Sequence, residues 1–139
     1  MSEASIIIYA SQLNSLKEAA RYAAAREGGM GAAVLCQNGN IHSGTYLQGR
    51  TAASTVHAEA AAIISSLLQG DNAFIALALF SMRPSRSAPL APCGACLQFL
   101  SEHAMNPELC IVTSSMASLP AWDQTSLREL FPRPWRGWA

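Results

Sequence analysis

His57-Ala58-Glu59 and Pro92-Cys93-Gly94-Ala95-Cys96 together supply an imidazole, two thiols and a carboxylate, at spacings that suit one metal ion and one mobile proton. One imidazole with two thiolates is an established set for a catalytic zinc, whose remaining position stays open to water. His57, Cys93 and Cys96 are therefore the candidate ligands for Zn2+. Two thiolate charges cancel that of the divalent ion, so the set asks for no cationic neighbour. Glu59 follows His57 by two positions, about 200° round a regular helix, which disfavours chelation of one ion by both. Its carboxylate is left for general acid and base work. Zinc brings the pKa of a bound water down toward about 7, so the chemistry implied is hydrolysis with Glu59 moving the protons.

Both ligand groups are expected at helix starts, His57 opening one helix and Cys93 the next, with Pro92 at a position that proline tolerates. Free N–H groups and the positive dipole end favour negative charge there, so both thiols are expected to ionise. Cys93 and Cys96, three apart, share a helix face.

The elements that must hold these residues are legible from pattern. Leu13 to Arg26 is Ala-rich with interspersed charges and is stopped by Gly28-Gly29, which predicts a first helix. Ala32 to Gln37 and Ile41 to Leu47 flank Asn38-Gly39-Asn40, which predicts an antiparallel hairpin. His57 to Leu68 predicts a buried helix closed by Gly70. Phe74 to Phe80 predicts a central strand and Met82 to Leu90 a Pro-, Ser- and Arg-rich loop. Cys93 to His103 predicts an amphipathic helix, Leu109 to Thr113 a strand, and Leu127 to Leu130 a short helix broken by Pro132 and Pro134. Alternating helices and strands with one early hairpin predict an α/β fold, a three-layer α/β/α sandwich around a mixed sheet. Ile6 to Tyr9 carries no clear assignment.

A chain of 139 residues, half of them hydrophobic, predicts a single domain spanning residues 1–139. With 13% charged residues and a net charge of +0, it lacks the basic excess that nucleic-acid grooves need, so a free small molecule is the expected substrate. Positive mean hydropathy in so small a chain predicts a homo-oligomer, a dimer or tetramer, since small domains bury their own surface inefficiently. No stretch is apolar enough to span a bilayer, and Met1-Ser2-Glu3-Ala4 lacks a basic leader region, which together predict no membrane partner and a cytoplasmic location. Four cysteines without export signals favour metal ligation over disulfides. Cys36 and Cys110, in apolar runs, read as small buried hydrophobes. His42 reads as structural, and Arg83 and Arg86 as part of a solvated loop before Cys93, with contact to a substrate phosphate as the alternative.

H-x-E followed by P-C-x-x-C is a signature of zinc nucleobase deaminases, and from about Met30 to about Trp135 the chain resembles the cytidine deaminase family. That family shows V-G-A-A, G-x-N-x-E, [CH]-A-E, P-C-G-x-C and L-L-P-x-x-F segments. The matching segments here are Met30-Gly31-Ala32-Ala33, Gly44-Thr45-Tyr46-Leu47-Gln48, His57-Ala58-Glu59, Pro92-Cys93-Gly94-Ala95-Cys96 and Leu130-Phe131-Pro132-Arg133-Pro134-Trp135. The resemblance implies the five-stranded deaminase fold and a substrate of the cytosine-nucleoside type. It also implies that Glu59 takes a proton from the attacking water and protonates ring nitrogen N3, and that it delivers a further proton to the departing amine. Relatives with three cysteine ligands commonly place Arg after the second cysteine of the C-x-x-C pair; Leu97 stands there, in keeping with His57. Neither His42 nor His103 has the spacing of a further ligand, which argues against a closed structural zinc.

The resemblance implies substrate contacts at Ala58, Tyr46, Gln48 and Trp135, and here the chain departs from the pattern. The sugar-binding Asn and Glu positions are Tyr46 and Gln48, and the usual aromatic wall is Gly28. Trp135 stands where the family's late Phe reaches the pocket, and an indole near a chain end also serves as an oligomer contact. Ring chemistry reads as retained and sugar recognition as changed, which suits cytidine, deoxycytidine or a modified cytosine nucleoside. The alternatives are a deaminase of polynucleotide bases, which would need a basic groove, and a zinc-stabilised binding module without turnover.

Overall fold

The computed structural model describes residues 7–83 and 90–137. Helix α1 spans Ala10–Ala24, and alanine, the strongest helix former, supplies much of it. The side-chain oxygen of Gln12 accepts from the Tyr9 N–H at 3.1 Å and caps its start. That cap explains why α1 begins earlier than the pattern from Leu13 predicts. Leu16, Ala20, Ala23 and Ala24 form its buried stripe.

Strands β1 (Met30–Cys36) and β2 (Ile41–Thr45) form the predicted antiparallel hairpin. Gly39 turns it at φ +91°, a conformation glycine adopts without steric cost. Helix α2 (Ala58–Leu68) follows, then β3 (Phe74–Ser81), α3 (Gly94–His103), β4 (Cys110–Ser115), β5 (Asp123–Ser126) and the short α4 (Leu127–Leu130). The sheet order is β2-β1-β3-β4-β5. Only β3 and β4 run parallel, with α3 in the crossover between them. The sheet is mixed and five-stranded, as expected.

Side chains alternate across it with the strand period of two. Ala32, Val34 and Cys36 of β1 join Leu77 and Leu79 of β3 on the face covered by α2 and α3. Ala33 and Leu35 join Ala76, Ala78 and Phe80 on the face covered by α1. The helices lie on both faces, and the three-layer α/β/α sandwich follows from that division. Pattern reading found four of the strands and missed β5, because Asp123-Gln124-Thr125-Ser126 has no apolar alternation. An edge strand with an open face needs none.

Gly44 sets the height of α2 above the sheet. A Cβ at that position would overlap the backbone nitrogen of Ala62 and lie 2.7 Å from the methyl of Ala61. The helix that begins beside His57 therefore rides directly on β2. Of the predicted features, Met1 to Ala4, Ile6 and Arg86 lie outside the described residues.

Candidate metal centre

His57 is the N-cap of α2 and Cys93 the N-cap of α3, both in extended backbone conformation. Two helix starts thus meet. Nδ1 of His57 lies 3.0 Å from Sγ of Cys96 and 3.4 Å from Sγ of Cys93. The ligand atoms of all three residues fall within 4.8 Å of one another. Nδ1 therefore faces both sulfurs, and a tetrahedral ion with zinc bond lengths asks its donors to stand about 3.3–3.8 Å apart. Small shifts would bring the three to that spacing.

Cys93 is exposed while Cys96 is buried. Burial pushes the Cys96 thiol up strongly, and the neighbouring Glu59 carboxylate and Cys93 add to the shift. The helix start favours the thiolate expected at Cys96, while burial and the Glu59 carboxylate oppose it as long as no cation is bound. A thiol so placed becomes a thiolate beside a cation, so the donor chemistry fits a zinc ion held by His57, Cys93 and Cys96.

Glu59 lies in the first turn of α2, 4% exposed, with its carboxyl against Cys96 and outside the cluster of three donors. Ala58 is buried and its methyl packs in the core. The N–H groups of that first helical turn have no intrahelical acceptor.

The chain from β2 to α2 is closed into a lasso. Leu47 and Val56 exchange backbone hydrogen bonds of 2.9 and 2.8 Å. Gly49 N–H donates to Thr55 Oγ1 at 3.1 Å inside the loop. The neck of the lasso forces the flanking residues together, and the Tyr46 and His57 rings stand 5.8 Å apart. A cavity of about 210 Å³ opens beside Tyr46, lined by Glu27, Gly28, Tyr46, Leu47, Gln48 and Arg83. Tyr46 and Gln48 thus share one cavity, whose lining includes none of His57, Glu59, Cys93 and Cys96. Glu27 and Arg83, one before the first strand and one after the third, complete its charged lining; Arg83, read from sequence as a solvated loop residue, faces this cavity, and nothing in the local sequence singles out Glu27.

A Cβ on Gly28 would overlap the Tyr46 carbonyl oxygen. The Tyr46 backbone fills the space that Gly28 leaves, so no side chain could stand at position 28. Trp135 is 55% exposed, and its carbonyl accepts a hydrogen bond of 2.9 Å from Gln98 Nε2. That bond ties the tail to α3. The cavity beside Tyr46 has no Trp135 in its lining.

Cys110 is partly exposed at the start of β4 rather than fully buried. Cys36 is buried as expected, but it lies with His42 and Asp71 in a second group of ligating side chains.

The profile of the cytidine and deoxycytidylate deaminase zinc-binding region matches residues 9–112. A cytidine deaminase of Sporosarcina psychrophila is 27% identical over 103 residues, covering 74% of this chain and 71% of that protein. The crystal structure of cytidine deaminase from Burkholderia pseudomallei superposes with a TM-score of 0.76 at 28% identity, covering 88% of this chain and 98% of that one. Cytidine deaminase from Mycobacterium tuberculosis superposes at 0.70 with 26% identity, covering 89% and 97%. The profile match ends before Trp135.

Proposed function

Because this chain belongs to the cytidine and deoxycytidylate deaminase zinc-binding family, we propose that it hydrolyses the exocyclic amine of a cytosine-type nucleoside, with zinc held by His57, Cys93 and Cys96. Membership makes it a deaminase, a hydrolase acting on carbon–nitrogen bonds. The observation that carries the finer reading is the convergence of His57 Nδ1 on two sulfurs, 3.0 and 3.4 Å away, with a buried carboxylate at their side.

Zinc, when bound, would lower the pKa of the attacking water and stabilise the negative charge on its oxygen. Glu59 takes the proton of the attacking water and passes it to N3 of the ring. It then takes the second proton, from the hydroxyl now on the attacked ring carbon, and delivers it to the amine as the carbon–nitrogen bond breaks, so that ammonia leaves and the oxo group remains. Burial of Glu59 keeps bulk water from competing for that proton. Tyr46 presents a ring face beside His57, and Gln48 offers both a donor and an acceptor to whatever group the sugar end of the substrate carries.

Ala58 and Trp135 complete the proposed substrate contacts, Ala58 through its backbone. The enzyme is proposed to be a single-domain, cytoplasmic homo-oligomer. Among the described residues, no helix is long and apolar enough to cross a membrane.

Ammonia release from cytidine, deoxycytidine and modified cytosine nucleosides, with metal content measured on the same sample, tests the reading. Glu59→Gln should retain its zinc and lose about 10²- to 10⁴-fold in kcat, the usual worth of a positioned acid or base. Full activity in Glu59→Gln, or none on any aminopyrimidine in zinc-loaded protein, overturns it.

A further inference from the structure

At the opposite end of α2 from His57, three elements bring Cys36 at the end of β1, His42 in β2 and Asp71 after α2 within 4.8 Å at their ligand atoms. We propose that this group is a second metal site, taking a borderline divalent transition ion such as Zn2+.

The donors come from three separate stretches of chain, and the fold directs each inward. A register shift between Leu35 and Cys36 breaks the β1–β3 ladder at the cysteine. Such irregularities re-aim a side chain. His42 and Asp71 are each only 13% exposed. Their Nε2 and Oδ2 atoms lie 2.6 Å apart, a distance that holds one shared proton. The ion would take that proton's place, and the two atoms would part by roughly 0.7–1.2 Å to reach the spacing of zinc co-ligands.

Charge favours the exchange. Asp71 accepts from Asn40 Nδ2 at 3.0 Å and Asn38 Nδ2 at 2.8 Å, and these bonds with His42 hold its carboxyl below the ordinary range. Among the described residues, its only ion-pair partner is His42. Burial raises the Cys36 thiol against the lowering effect of its Ser66 hydrogen bond, and the Asp71 carboxylate adds to the rise. A divalent cation satisfies both at once: one thiolate, one carboxylate and a neutral imidazole leave the site uncharged. A thiolate with an imidazole excludes the hard ions that prefer all-oxygen shells.

Ser66 completes the surroundings. Its hydroxyl donates to the Asp71 carbonyl at 2.9 Å and receives the Cys36 thiol at 3.2 Å. When metal binding releases the Cys36 proton to solvent, the hydroxyl can turn from the Asp71 carbonyl to donate to the thiolate. A cavity of about 380 Å³, lined by Cys36, Asn38, Asp71 and Asn72 among others, gives an ion its entry and room for water as a further ligand. Bound there, the ion clips the hairpin to the C-terminal end of α2.

The test is the number of metal equivalents held by the full chain after chelator stripping and reloading with Co2+ or Zn2+, read by atomic emission and by the cobalt–thiolate absorption. Wild type should bind two equivalents, and Cys36→Ser and Asp71→Asn one each. A Cys93→Ser/Cys96→Ser double variant should keep one equivalent, with thiolate absorption that vanishes when Cys36→Ser is added. Circular dichroism checks folding, and the conservative Asp71→Asn carries the test if Cys36→Ser does not fold. A double variant that binds no metal overturns the proposal, as does a Cys36 or Asp71 variant that is folded and still binds what wild type binds. A wild type that binds a single equivalent, kept by the Cys93→Ser/Cys96→Ser variant and lost in Cys36→Ser, would instead count against the catalytic zinc, so the two readings fail separately.

Discussion

Cys96 sits where an ordinary thiol would stay protonated, between a buried carboxylate and a second sulfur. The residue-scale logic of the centre is that one cation would settle the buried Cys96 sulfur together with the His57 and Cys93 donors that face it. Two short motifs carry that logic, which is why the ligands are legible from spacing: a residue at the cap and another three positions on share a face wherever the helix lies. Tyr46 and Gln48 are less legible, because what they face depends on the closure of a loop and on chain passing Gly28 from the other side. Their proposed role in setting sugar preference makes a prediction. Restoring the family pair with Tyr46→Asn and Gln48→Glu should lower KM for plain cytidine roughly tenfold, about the worth of one charge-assisted hydrogen bond, with zinc content unchanged. Steady-state kinetics on cytidine and deoxycytidine decide it, and an unchanged or raised KM on both removes Tyr46 and Gln48 from sugar recognition.

At the scale of elements, the centre depends on how closely α2 approaches the sheet. Gly44 permits the contact with Ala61 and Ala62 that a methyl group would block. Gly44→Ala should therefore destabilise the fold by about 1–3 kcal/mol, the usual cost of overpacking. The urea midpoint measures that loss. Activity should fall by more than the unfolded fraction explains, because α2 would carry Glu59 away from Cys96; a variant with native midpoint and activity would show that α2 does not need this contact. Apolar pattern reveals α2, α3 and the central strands, since their burial leaves few polar positions. It does not reveal β5, whose polar residues pair through backbone alone along β4, nor the early start of α1, which rests on one side-chain cap.

For the whole molecule, the distribution of apolar surface bears on assembly. Leu68 is 82% exposed and Ile64 56%, both on the outer side of α2, and Met105 beyond α3 is 79% exposed. Such residues support the proposed self-association, because an isolated chain of this size would leave them in water. Leu68→Glu with Ile64→Glu should shift the molecular mass by light scattering from a dimer or tetramer toward the monomer. A mass unaffected by both charges would exclude this face from the assembly. The backbone exchange between Leu47 and Val56 has a different kind of consequence. It ties off the residues between them as a closed ring, so their number and identity can drift without disturbing the imidazole just beyond the knot. New substrate preferences can then evolve, or be grafted, on the ring while the reactive chemistry stays insulated from the change.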